Sequence, residues 1–279
     1  MKTITIINQY SGNKGDRAVC YFLLTELCRY GYEIILSTNN KKNWENEPII
    51  KENNIKLVTW GWNVDNFNPK NRLHWEKRRF FRIVGLPYLL NRINRNKKGL
   101  GLSRLFINSD FYKALLNSDL IISTGGHHLT TRFTPELHNE LLFDLASTTL
   151  SGKKYILWSQ TFGPFEFNVE RNKKAVINIL NSAEKIYYRD IYSLHELKQL
   201  QISNEKLIKT YETVIGLNSH IKEYTLPQER ENVVGITIYN AEKRTAEEYL
   251  QYCKTMAEIS DWLISNGFKI KFFPHEIKG

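Results

Sequence analysis

Thr3-Ile4-Thr5-Ile6-Ile7 turns polar at Asn8-Gln9, and Asn13-Lys14-Gly15-Asp16 then opens a stretch with helical spacing that runs to Tyr30. A short β-branched run, a glycine turn and a long amphipathic segment make one β–turn–α unit. The same rhythm recurs along the chain. Strands are expected at Thr3–Ile7, Glu33–Ser37, Ile55–Thr59, Leu120–Ser123, Tyr155–Ser159 and Lys185–Tyr188. Helices are expected at Asp16–Tyr30, Phe111–Asn117, Pro135–Leu150, Val169–Ser182 and Ile191–Leu200. Alternation of this kind predicts an α/β, Rossmann-like parallel sheet covered on both faces.

The polar stretch Lys222–Asn232 reads as a linker. Beyond it lies one more unit: a strand at Val233–Tyr239, a helix at Thr245–Ser265 stopped by Asn266-Gly267, and a strand at Phe268–Phe273. The expected domains are residues 1–222 and 233–279. One βαβ unit cannot cover both faces of a parallel sheet, so the second domain is expected to be the truncated start of another Rossmann-like domain.

The 279 residues, 42% hydrophobic, exclude a wholly disordered chain. No apolar run reaches the roughly 20 residues of a membrane-spanning helix. The first strand is too short for a signal sequence. Cys20, Cys28 and Cys253 have no metal-binding spacing and read as free thiols of a cytoplasmic protein. The net charge of +10 is concentrated. Between Pro69 and Arg104, eleven basic residues face the single acid Glu76, which leaves the rest of the chain near neutral. Trp75, Phe80, Phe81, Ile83, Val84, Leu86, Tyr88, Leu89, Leu90 and Ile93 are interleaved with them. Two readings stand side by side. Lys70–Arg104 is an insertion that packs on its own domain, or it docks on an anionic membrane surface. Nucleic acid is not expected, because no nucleic-acid-binding motif accompanies the patch.

Four turns follow strands, where open parallel sheets hold their ligands. In the first, Asn13, Gly15 and Asp16 stand at the start of a helix whose free N–H groups suit an anion or a hydroxyl; read alone, Asp16 is first of all a cap for that helix. In the second, Gly125 and Gly126 allow close backbone approach, and His127 and His128 offer an imidazole for proton transfer or phosphate binding. Adjacent residues on extended chain point to opposite sides, so one histidine at most faces a cleft. In the third, Ser159-Gln160-Thr161-Phe162-Gly163-Pro164-Phe165, Gln160 can reach a ligand and Gly163-Pro164 forms a turn. In the fourth, Arg189 can clamp a carboxylate or phosphate, or pair structurally with Asp190. No metal site is expected.

Taken in order, these motifs resemble the polysaccharide pyruvyl transferase family. Its N-x-G-D turn matches Asn13–Asp16, its G-G-G turn Gly125-Gly126-His127, its G-Q-S-I-G-P-F segment Ser159–Phe165, and its R-[DE]-x-x-S segment Arg189–Ser193. His127 and Ser159 stand where the family has glycine. Tyr211-Glu212-Thr213-Val214 replaces an Asp-Pro-Ala-like step near the domain junction. His275 resembles a family histidine near the donor site.

The resemblance implies a glycosyltransferase-B-like, two-domain fold. It also implies transfer of the enolpyruvyl unit of phosphoenolpyruvate to a sugar of a surface polysaccharide or exopolysaccharide, giving a pyruvate ketal. Phosphoenolpyruvate is then the donor substrate, and no cofactor is implied. Arg189 is the expected anion clamp. His127, His128 and His275 are acid–base or phosphate-binding candidates. Asn13, Gly15, Asp16 and Gln160 would hold the acceptor, with Gly125 and Gly126 also lining the site. The expected partners are a sugar or lipid-linked oligosaccharide at the inner face of the plasma membrane; homo-oligomerisation is left open. Two alternatives are a nucleotide-sugar-dependent glycosyltransferase of the same architecture and a non-catalytic remnant that binds sugar or membrane.

Overall fold

The computed structural model describes residues 2–62, 72–105, 107–132, 139–220, 231–238 and 245–274. They fall into two compact units divided after His220.

The first unit is built on a parallel sheet. Its strands are β1 (Thr3–Gln9), β2 (Glu33–Thr38), β3 (Lys56–Thr59), β4 (Leu120–Ser123), β5 (Gly126–Leu129), β6 (Tyr155–Phe162), β7 (Lys185–Tyr188) and β8 (Leu207–Lys209). The order across the sheet is β3-β2-β1-β4-β6-β7-β8, with β5 paired to the far end of β6. From β1 the chain winds outward through β2 and β3, and from β4 it winds the other way. The order therefore reverses between β1 and β4, and the carboxyl ends of strands at such a switch point are where open α/β sheets hold their ligands.

Period two along the strands sorts the apolar residues onto two faces. Ile4, Ile6 and Ile122 enter one core with Cys20, Leu23 and Leu24 of α1 (Lys14–Arg29) and with Ile49 and Ile50 of α2 (Pro48–Glu52). Ile7, Ile121 and Leu157 enter the other. Burial on both faces is why these strands read as unbroken apolar runs. The strands and helices expected from periodicity all have observed counterparts within a few residues, although only Asn139–Ser151 of the Pro135–Leu150 helix is described. The short strands β5 and β8 escaped that reading. Gly126-His127-His128-Leu129 and Leu207-Ile208-Lys209 are too short to show a period.

The basic stretch divides in two. Arg72–Phe80 forms α3, Phe81–Gly85 a π-helical turn, and Leu86–Asn94 forms α4. Along α4, Leu86, Leu89, Leu90 and Ile93 repeat at helical spacing and are buried against α6 (Asn139–Ser151) and α7 (Glu170–Ser182). The apolar residues of α4 therefore pack on their own domain; Lys70 lies outside the described residues. Leu90→Ala should cost about 2–5 kcal/mol of stability. Chemical denaturation would measure it.

The remaining helices of the first unit are α5 (Ser109–Asn117) and α8 (Ile191–Gln199). In the second unit β9 (Val233–Ile238) and β10 (Lys269–Pro274) pair in parallel across α9 (Ala246–Ser265). Thr245 and Glu248 close a reciprocal capping box at the start of α9. Gly267 follows its end at φ +81°, where glycine is favoured. Most of the expected linker, and His275, lie outside the described residues.

Candidate active site

At the switch point, side chains from three strands are hydrogen-bonded together. Asn8, in left-handed backbone at φ +64°, donates from Nδ2 to Ser123 Oγ at 3.2 Å. Gln160, on β6, donates from Nε2 to Ser123 Oγ at 2.8 Å and to Thr124 O at 2.9 Å. These bonds tie β1, β4 and β6 together where the sheet would otherwise splay. They also commit the Gln160 amide nitrogen to the protein, and Gln160 is only 1% exposed. Its Oε1 and the Asn8 Oδ1 are buried and accept no hydrogen bond from the described residues.

The first turn is organised by Asn13, not Asp16. Asn13 Oδ1 accepts from Gly15 N at 2.7 Å and from Asp16 N at 3.4 Å, which makes it the N-cap of α1. Asp16 sits in the first helical turn with its carboxyl available for other work. Beside this turn, the half-exposed Tyr10 ring lies over Gly12 and tilts against Trp60, ring centroids 6.4 Å apart.

The two glycines of the second turn answer to protein neighbours. A Cβ on Gly125 would stand 2.8 Å from Ser159 O. One on Gly126, at φ +140°, would strike the His128 ring. His128 is buried, whereas His127 is half-buried with Nε2 2.8 Å from Gly163 O. A carbonyl oxygen only accepts, so His127 Nε2 carries the hydrogen in that bond. The pair thus occupies two environments, as adjacency on an extended chain requires.

In the third motif, the position the family fills with glycine has φ +46°; here Ser159 adopts it and donates from Oγ to Tyr211 O at 2.8 Å. Gly163, at φ +77°, has no room for a side chain beside Glu196, whose Oε2 accepts from Phe165 N at 2.9 Å.

The fourth motif closes the arrangement. Gly126, Gln160 and Tyr188 are register partners across β5, β6 and β7, so His127, Thr161 and Arg189 are the next residues beyond one row of the sheet. Arg189 Nε donates to Thr161 Oγ1 at 2.7 Å, and its guanidinium pairs with Glu212. Thr161 Oγ1 in turn donates to Asp190 Oδ2 at 2.8 Å. Asp190 caps α8 by accepting from Ser193 N at 2.7 Å. Burial alone would raise the Asp190 carboxyl, but the Ser193 and Thr161 hydrogen bonds and the Arg189 charge outweigh it and hold it below its ordinary value.

Asp16 is held in the opposite sense. Burial raises its carboxyl to about 6; Arg189 partly offsets the rise and Glu212 adds to it. The first and last motifs, some 170 residues apart in sequence, therefore meet in one electrostatic cluster of Asp16, Arg189 and Glu212. Glu212 was missed as a site residue. Its one signal was its place in the segment that departs from the family pattern. Among the described residues no group of three His, Cys, Asp or Glu is arranged to hold a metal ion.

A model of the polysaccharide pyruvyl transferase family matches residues 13–279. The chain belongs to the polysaccharide pyruvyl transferase family. The match begins at Asn13, the cap of the first turn, and takes in all four motifs. No curated protein matches the chain. Among solved structures, a UDP-GlcNAc 2-epimerase from Methanocaldococcus jannaschii is similar at 12% identity with a TM-score of 0.53; the likeness covers 99% of this chain and 66% of that one. An Anabaena protein, HepE, solved with UDP and glucose, is similar at 11% identity and a TM-score of 0.47, over 99% of this chain and 70% of that one. The chain thus spans just under two thirds of the epimerase's length. At such identity the epimerase speaks for the fold alone: this pyruvyl transferase family member shares the Rossmann-like, glycosyltransferase-B-like architecture.

Proposed function

We propose that this protein transfers the enolpyruvyl group of phosphoenolpyruvate to two hydroxyls of one sugar, forming a pyruvate ketal and releasing phosphate. The observation that carries this reading, within this family, is a carboxyl held near neutrality within electrostatic reach of a cation: Asp16 feels the charge of Arg189, which is paired with Glu212.

The donor brings a carboxylate and a phosphate, and a guanidinium can bind either in a bidentate way. Arg189 is the group proposed to do so, exchanging its Glu212 partner for the donor. A proton then adds to the donor methylene, leaving positive charge at C2. A sugar hydroxyl attacks C2 and loses its proton. The C2–O bond to phosphate breaks, and a second hydroxyl closes the ketal and loses its own proton. Of the two protons shed, one balances the proton taken up by the methylene and the other leaves with phosphate.

Asp16 is assigned as the base that accepts a hydroxyl proton. A carboxyl titrating at about 6 is mostly ionised at neutral pH yet basic enough to take a proton in the transition state. His127 is the proposed proton donor to the methylene: Gly163 O holds its Nε2–H, and a proton carried on Nδ1 is the one transferred. Tyr10, exposed beside the first turn, suits the apolar face of a sugar ring. The acceptor is proposed to be a lipid-linked or polymeric sugar at the cytoplasmic face of the membrane.

The test is to incubate the protein with phosphoenolpyruvate and a panel of glycans. Phosphate release and the appearance of a ketal methyl resonance are followed together. Both should depend on donor and acceptor. UDP release from UDP-sugars without either signal would replace this reading with glycosyl transfer.

A further inference from the structure

The basic insertion supplies none of the site residues named above. In α4 and the segment after it, two arginines already have intramolecular partners. Arg92 Nε donates to Gly99 O at 2.9 Å and its guanidinium also donates to Lys98 O at 2.6 Å. Arg104 lies over the Tyr112 ring at 5.4 Å. Arg72–Gly85 carries five basic residues, Arg72, Lys77, Arg78, Arg79 and Arg82, against Glu76 alone.

The same segment exposes large apolar side chains. Leu73 is 73% exposed, Trp75 52%, Ile83 59% and Val84 46%, and Phe80 is exposed as well. Carried backwards at helical spacing, the buried stripe of α4 would run through Ile83, Arg79, Trp75 and Arg72. All four are exposed. The π-helical turn at Phe81–Gly85 inserts a residue's worth of phase between the two helices, and on its far side the apolar residues have left the core.

We propose that α3 and the turn after it form an interfacial helix that docks this protein on the surface of an anionic lipid bilayer. The occupant follows from the chemistry. A cationic surface selects an anionic partner. Exposed tryptophan, phenylalanine, leucine and isoleucine among the cations suit insertion at the headgroup boundary, where phosphate-backbone recognition alone would have no use for them. No described helix is long and apolar enough to cross a membrane; the attachment proposed is that of an amphipathic helix lying in the headgroup region.

The test uses flotation of the full chain with phosphatidylcholine vesicles, with and without phosphatidylglycerol, at low and high salt. Binding should require the anionic lipid and weaken with salt. Leu73→Ser combined with Trp75→Ser should lower binding at least about tenfold at low salt, because the apolar insertion is lost. Arg72→Glu combined with Arg79→Glu should do the same and remove the salt dependence. All four positions are exposed, so circular dichroism and thermal melting of both variants should stay those of the parent. Phosphoenolpyruvate-dependent phosphate release with a water-soluble glycan should also persist in both variants, which separates this proposal from the catalytic one. Failure of the parent to float with anionic vesicles overturns the proposal. So does salt-sensitive binding to a duplex oligonucleotide that exceeds vesicle binding and is lost only in the arginine variant, since the surface would then be a nucleic-acid site.

Discussion

Arg189→Ala should lower kcat/KM for phosphoenolpyruvate by about 10²–10⁴-fold, the loss expected when a charge-stabilising donor is removed from a preorganised site. The side chain is mostly buried and its Nε is bonded to Thr161, so the guanidinium is placed before it exchanges Glu212 for the donor. Arg189→Lys tests what the guanidinium contributes. It keeps the charge and can still pair with Glu212, but it loses planar, two-point recognition. Its activity should stay nearer that of the alanine variant than of the parent. Because alanine also strips Glu212 of its cation, Glu212→Gln is the needed control: it relieves the ion pair without removing Arg189. Steady-state kinetics with thermal melting of each variant separates a lost clamp from a damaged fold. Parental kcat/KM in a folded Arg189→Ala protein would remove Arg189 from the mechanism.

Asp16→Asn should lower kcat by about 10²–10⁴-fold, the usual worth of a positioned base, while making the protein more stable above neutrality. The sign follows from the titration. In the folded state the carboxyl is raised from 3.8 to about 6, so the native protein binds that proton more tightly than the unfolded chain does. Stability contributed by this group is therefore present at low pH and is lost as pH rises between those values. Asparagine carries no such cost. The melting temperature of the variant should exceed the parent's at pH 8, and the gap should close as pH falls towards 4. In the parent, kcat/KM should rise with pH through a limb near 6; the variant should lack it. Glu212→Gln moves the same limb in a known direction. Removing that negative charge lowers the Asp16 value, so the limb shifts to lower pH. An unshifted limb would detach it from Asp16.

The local pattern was strong for the sheet. Ile4, Ile6, Ile121 and Ile122 lie on strands buried from both sides, and a continuous apolar run bounded by turn residues is hard to read otherwise. The four motifs were legible for a related reason: each is a strand end with a glycine or a helix cap, and such chemistry is written within a few consecutive residues. The roles inside the motifs were less legible. Asp16 looked like a cap until Asn13 took the bonds, because cap assignment depends on the φ of one residue. Gly125 and Gly126 looked like room for a ligand, yet the atoms nearest their missing Cβ belong to Ser159 and His128. Gln160 looked available, yet its amide nitrogen is spent on Ser123 and Thr124. The basic insertion looked uniform, and only packing divided it into a core helix and an exposed one.

By itself the sequence determined the alternation of strand and helix, the strand ends that carry chemistry and the place of the excess charge, since all three depend on neighbours along the chain. Only the tertiary structure decided that Asp16, Arg189 and Glu212 share one electrostatic environment, and that Trp75 faces solvent while Leu90 does not. Charge interaction and burial depend on distances in space, and the order of β4, β6 and β7 across the sheet is what brings distant residues within that reach.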